Sequence, residues 1–168
     1  MNKNTDLLAF TKMAIVTALY VVITVALGSL GSGAIQFRLS EMFNFLAFYN
    51  KRYIISVTLG CAIANMMVYG PVDAVVGSMS TLVFLSLGVF LFSKYMKDEI
   101  FHGLLNKAFL YFSIFFSLSM ITIALELHYM AGLPLWTTYV TMALGEFVSL
   151  IIGAILIIQL AKRVDLRK

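Results

Sequence analysis

Residues 35–49 read IQFRLSEMFNFLAFY and run directly into Asn50-Lys51-Arg52. Whether this stretch crosses a bilayer decides the topology of everything after it. As an α-helix at about 1.5 Å per residue it falls short of a hydrocarbon core roughly 30 Å thick, and it carries Arg38, Glu41 and Asn44. The positive charges decide between the two topologies. If the stretch crosses, Lys3, Lys12, Lys51, Arg52, Lys94, Lys97, Lys107, Lys162, Arg163, Arg167 and Lys168 fall on one side and Arg38 alone on the other, as a cytoplasmic excess of Lys and Arg requires. If it dips in and returns, Lys51 and Arg52 land outside, and Lys94, Lys97 and Lys107 are stranded there too. The charges therefore predict an all-α membrane protein of six transmembrane helices with cytoplasmic N and C termini.

The rest of the chain agrees. Of 168 residues, 61% are hydrophobic and 12% charged, and the mean hydropathy is +0.96, beyond what a water-exposed surface tolerates. Apolar runs at 13–30, 53–69, 72–92, 108–127 and 135–160 supply the other five spans and leave no room for a soluble domain, so residues 1–168 read as one membrane domain. The first run, at 18 residues, exceeds the roughly 7–15 of a signal-peptide core and is expected to be a retained helix. Pro71, Pro134 and the glycines Gly28, Gly31 and Gly33 fall in outward-facing turns. The connection 93–107 is expected to be a solvated or interfacial cytoplasmic segment. The net charge of +4 comes from basic residues scattered between apolar runs, which argues against nucleic acid as a partner. Cys61 stands alone and the two histidines are far from it, so neither a disulfide nor a metal site is expected.

Four acids remain on the outward or membrane side: Glu41, Asp73, Glu126 and Glu146. Ionisable groups at that depth need a partner, a cavity or water. Asp73 and Glu126 lie near outward helix ends, and Asp73 is placed to cap the helix that follows. Glu146 lies about 15 Å inside the last helix with no basic residue near it in sequence. Arg38, Glu41 and Asn44 follow one another at i, i+3 and share a face; the plain structural alternative is an Arg38–Glu41 pair that seats a short helix near the headgroups. Asn65 comes out level with this stripe, or else makes an interhelical hydrogen bond. Trp136, Tyr69 and Tyr129 mark the outer interface, with Trp136 able to stack on a flat ligand. Together these residues describe a pocket open to the outside. On the first helix, Ala14 and Ala18 form a small-xxx-small face that lets another helix come close. No GxxxxGK[ST] loop is present, so ATP would have to be used by a partner.

The segment Ile35-Gln36-Phe37-Arg38-Leu39-Ser40-Glu41, with Asn50-Lys51-Arg52-Tyr53-Ile54-Ile55, Leu59-Gly60-Cys61-Ala62-Ile63-Ala64-Asn65, Asp73-Ala74-Val75-Val76-Gly77-Ser78 and Ala143-Leu144-Gly145-Glu146, resembles the QueT family of queuosine-precursor transporters. The resemblance covers nearly the whole chain. It implies the substrate-binding S component of an energy-coupling factor (ECF) importer in a prokaryotic cell membrane, a six-helix bundle that takes a 7-deazaguanine such as preQ1 from outside. It also implies docking on a transmembrane T component driven by two ABC ATPases, with Ala14 and Ala18 as the docking face. The chain itself is then a transporter subunit without cofactor. The expected ligand suits the residues. A guanine edge offers parallel N–H donors to one carboxylate, and the aminomethyl cation of preQ1 needs a second acid. Glu41 or Glu146 takes the edge, another acid the ammonium, Asn44 and Asn65 the remaining edge atoms, and Trp136 stacks. The competing readings are an S component for another vitamin or small heterocycle, since fold does not fix substrate, and an intramembrane enzyme. Against the enzyme, Gly77-Ser78-Met79-Ser80 lacks the closing glycine of a GxSG motif, and His102 and His128 lie in connections.

Overall fold

The computed structural model describes residues 3–28 and 38–166, with side chains from Leu7. Gly31, Gly33, residues 35–37, Arg167 and Lys168 lie outside the described residues.

Each apolar run becomes helix. Helix α1 is Lys3–Gly28, α2 Arg52–Val68, α3 Pro71–Phe92, α4 Lys107–Leu118, α5 Ile121–Ala131 and α6 Leu135–Ala161. Four stretches are long and apolar enough to cross a bilayer, Leu7–Leu27, Pro71–Tyr95, Lys107–Ala131 and Leu135–Ala161, while α2 is a shorter apolar helix of 17 residues. Side chains such as Phe90, Leu7 and Val75 stand exposed around the bundle, as lipid-facing positions do. The protein is a multi-pass membrane protein.

Three features depart from the sequence reading. The stretch that opens the argument forms a 3-10 helix, Leu39–Phe48, rather than an α-helix. A 3-10 helix rises about 2.0 Å per residue, so ten residues reach about 20 Å instead of about 15 Å. Runs of this length are rare, and here tertiary packing holds one in place. Ser40, Glu41, Phe43, Asn44, Phe45, Leu46 and Ala47 are all buried, with α6, α1 and α2 packed around them. Phe45 and Phe48 meet Phe109 and Phe112 of α4, Phe45 and Phe109 with ring centroids 4.4 Å apart.

Second, the run expected as one helix over 108–127 breaks at Ser119 and Met120 into α4 and α5. Tight i→i+3 bonds carry the chain through, Ser119 N–H to Phe116 O, Met120 N–H to Ser117 O and Thr122 N–H to Ser119 O. Hydroxyls add donors where the ladder is interrupted: Ser117 to Ile114 O, Ser119 to Phe116 O, Thr122 to Ser119 O. In lipid an interrupted helix needs such local satisfaction of its backbone groups.

Third, the connection 93–107 is structured. After a 3-10 turn, Ser93–Tyr95, strand β1 (Glu99–Ile100) pairs antiparallel with β2 (Leu105–Asn106), Glu99 opposite Asn106. Asn106 then caps α4 by accepting from Phe109 N–H at 2.8 Å.

The prolines stand at helix starts, Pro71 as the first residue of α3 and Pro134 as the N-cap of α6. Asp73 is not the cap of α3. Gly70 occupies that place with no side-chain hydrogen bond, and Asp73 sits in the first turn, where its charge complements the helix dipole.

Candidate functional site

The 3-10 winding arranges the polar stripe. At three residues per turn, positions i and i+3 eclipse, so Glu41 and Asn44 stack in one column, with Arg38 at the N-cap just before it. Asn44 Nδ2 donates to Glu41 Oε2 at 2.6 Å, which turns Asn44 Oδ1 the other way. That oxygen is buried and accepts no hydrogen bond from a described residue.

Helix α1 supplies the next layer. Tyr20 and Thr24, one turn apart on its buried face, reach across to the 3-10 helix: Tyr20 OH donates to Glu41 Oε1 at 2.6 Å, and Thr24 Oγ1 to Ser40 Oγ at 2.7 Å. Each Glu41 oxygen is thus held by a short hydrogen bond from the protein. Glu41 takes its hydrogen bonds from Tyr20 and Asn44, with the Arg38 charge acting on it as well.

Helix α6 closes the other side. Glu146, Ser149 and Gly153 share one face at helical spacing. A side chain at Gly153 would collide with Met42, so glycine there lets α6 lie directly on the 3-10 helix. Ser149 Oγ accepts from Arg38 N–H at 3.2 Å. One turn earlier along α6, Glu146 is 1% exposed, and its Oε1 has no hydrogen-bond partner among the described residues. A buried carboxylate in that condition is costly unless something else approaches it.

Arg38 is the common centre. Its guanidinium carbon lies 5.3 Å from the centroid of the Tyr69 ring, a cation–π arrangement. Its charge acts on Glu41, Asp73, Glu126 and Glu146, and Glu41 and Glu146 act on each other. All four acids singled out in the sequence therefore feel the charge of the same arginine.

The remaining candidates divide. Asn65 is buried, but its Nδ2 donates to Asp73 O at 3.1 Å and contacts Cys61 Sγ, and a Cβ on Gly77 would occupy its place. This is the interhelical bond weighed above, joining α2 to the start of α3. Trp136 is 71% exposed and pairs edgewise with Tyr139. It lies ten residues before Glu146, about 15 Å along α6, so the structure does not bring the two together. Ala14 and Ala18 line an apolar groove of about 490 Å³ between α1 and α2, with Met13, Thr17, Ser56 and Leu59. Among the described residues no group of His, Cys, Asp and Glu could hold a metal ion.

Tyr20 and Ser149 escaped the sequence reading. Their signal was spacing: Tyr20 and Thr24 are polar residues one turn apart in an apolar helix, and Ser149 follows Glu146 by three.

Residues 10–162 match the family model described as QueT transporter. This chain belongs to the QueT transporter family. It is also 56% identical over 158 residues, 93% of this chain and 94% of the relative, to a protein of Lactococcus lactis subsp. cremoris (strain MG1363) named queuosine precursor transporter QueT. No solved structure matches the chain. The QueT match spans every element of the cluster, α1, the 3-10 helix and α6 included, so the buried acids belong to the part of the chain that the family defines.

Proposed function

We propose that this QueT-family chain is the S component of an ECF importer that binds a queuosine precursor, a 7-deazaguanine such as preQ1, from outside. The observation that carries this reading is the pair of buried, unpartnered acceptors, Glu146 Oε1 and Asn44 Oδ1, beside a carboxylate already fixed by Tyr20. Acceptors in that state call for a ligand rich in N–H donors. A guanine edge and an aminomethyl cation provide them. Glu146 receives one donor group and Asn44 Oδ1 another. Glu41 adds negative charge from a fixed position, and Arg38 keeps the cluster from accumulating uncompensated charge. Asp73, Asn65 and Trp136 stand further out, with Asp73 and Trp136 toward the entrance.

Topology completes the proposal. The 3-10 helix and α2 cross together with the four long spans, making six, with both termini cytoplasmic. The eleven-to-one division of Lys and Arg supports this orientation. The T component and two ABC ATPases supply the energy, and the groove at Ala14 and Ala18 is the surface where α1 meets the T component.

Titration of the purified full-length chain with preQ1, preQ0 and queuine tests the ligand. Saturable binding of at least one is expected, and its absence for all three overturns the deazaguanine assignment. Mass spectrometry of a co-purified ligand separates this reading from an S component for another heterocycle.

A further inference from the structure

Where the spans of α3 and α6 end, at Tyr95 and Ala161, the bundle has a second concave site. A cavity of about 530 Å³ opens between the hairpin and the last turn of α6, with Lys94, Lys97 and Lys162 at its rim and Leu105, Ile158 and Ala161 in its floor. A neighbouring cavity of about 480 Å³ shares Ala161 and Lys162 and adds Arg163. Glu99 is the acid in the first cavity's wall, turned toward Gly103 of its own hairpin, and Asp165 lines the second. Asp98 is engaged with Lys107 at 3.5 Å, whereas Lys94, Lys97 and Lys162 form no ion pair with a described acid. At the hairpin tip, Phe101 and His102 both have left-handed backbones, φ 50° and 57°. Two such non-glycine residues in succession are strained. The result is that Phe101 projects, 71% exposed, with Leu104 also exposed beside it.

We propose that this cavity holds the headgroup of an anionic phospholipid, with Lys94, Lys97 and Lys162 around the phosphate and the Phe101 tip in the acyl boundary. Position and chemistry agree. The lysines sit where two spans leave the hydrocarbon, at headgroup height, and cationic pockets at that level attract anionic lipid. The apolar floor and projecting phenyl match the chain beneath the headgroup. A free phosphate has no use for either. The proposal needs only insertion in a bilayer and does not depend on the ligand assigned to the Glu41–Glu146 site.

The test is native mass spectrometry of the full-length chain, released from micelles containing phosphatidylglycerol or phosphatidylcholine. Retention of phosphatidylglycerol over phosphatidylcholine is expected. Lys94→Gln/Lys97→Gln/Lys162→Gln should weaken that retention on the order of 100-fold, from the contribution of each cation near a membrane surface. Lys51→Gln/Arg52→Gln, which follow the lining residue Tyr49 but do not themselves line either cavity, should leave it unchanged, and Phe101→Ser should weaken it several-fold. An unaltered thermal unfolding midpoint shows that each variant is folded. Equal retention of both lipids, equal loss in the two charge variants, or displacement by millimolar inorganic phosphate overturns the proposal. So does a triple variant that keeps its lipid but fails to assemble with its transport partner, which would make the surface a protein-docking site.

Discussion

Glu41 and Glu146 are both buried inside the bundle, yet their situations are opposite. Glu41 receives Tyr20 and Asn44, one on each oxygen, while Glu146 Oε1 receives nothing from the described residues. Their substitutions should therefore read out differently. On the proposed reading Glu146→Gln removes a charge-assisted contact with ligand, so preQ1 affinity measured by calorimetry should fall roughly 10- to 100-fold with the unfolding midpoint unchanged or raised. Tyr20→Phe leaves Glu41 Oε1 without its donor, at about 1–3 kcal/mol. Its unfolding midpoint in detergent should drop clearly more than that of Tyr139→Phe, whose hydroxyl makes a longer, exposed bond of 3.3 Å. Equal shifts would mean that Tyr20 does not hold the carboxylate. The acids themselves were legible from sequence because charge in an apolar run is conspicuous. Their partners were not, since a tyrosine or serine in such a run is ordinary until its neighbours are known.

Among the elements, helix positions were legible to within a few residues for α2, α3 and α6, because unbroken apolar runs bounded by Pro71, Pro134 and charged residues allow little else. The start of α1 was not, as the ten residues before Met13 are helical too. Nor was the winding of residues 39–48. The i, i+3 stripe fits an α-helix as well as a 3-10 helix, and what selects the tighter form is enclosure by α1, α2 and α6, a tertiary effect. The break at Ser119 was hidden likewise, because serine and threonine can serve within a helix or at its interruption. Close approach of α6 to the 3-10 helix rests on Gly153, so Gly153→Leu should part the two elements and abolish ligand binding. Met42→Ala in the same chain should not restore binding, because the atoms in the way are the Cβ and backbone of Met42, which alanine keeps. Undiminished binding in Gly153→Leu alone would show that this contact does not set the site.

At the scale of the whole molecule, charge asymmetry alone was enough to propose a topology, and the same reading singled out Arg38, whose guanidinium lies over the Tyr69 ring. Helix α1 joins the two halves of the proposed function. Its Tyr20 and Thr24 face inward to the site, and its Ala14 and Ala18 line the groove on the outside. Ala14→Trp should fill that groove and block uptake in cells while ligand binding by the purified chain stays intact; normal uptake would remove the groove from the docking surface. Because Ala18 and Tyr20 are two residues apart, they point about 200° from one another around the same rod. Torque applied on one side is felt on the other: a roll of about 30° sweeps a side-chain tip at roughly 6 Å radius through about 3 Å. That sweep is longer than the 2.6 Å bond from Tyr20 to Glu41. A first helix rolled that far would no longer hold the Glu41 carboxylate through Tyr20.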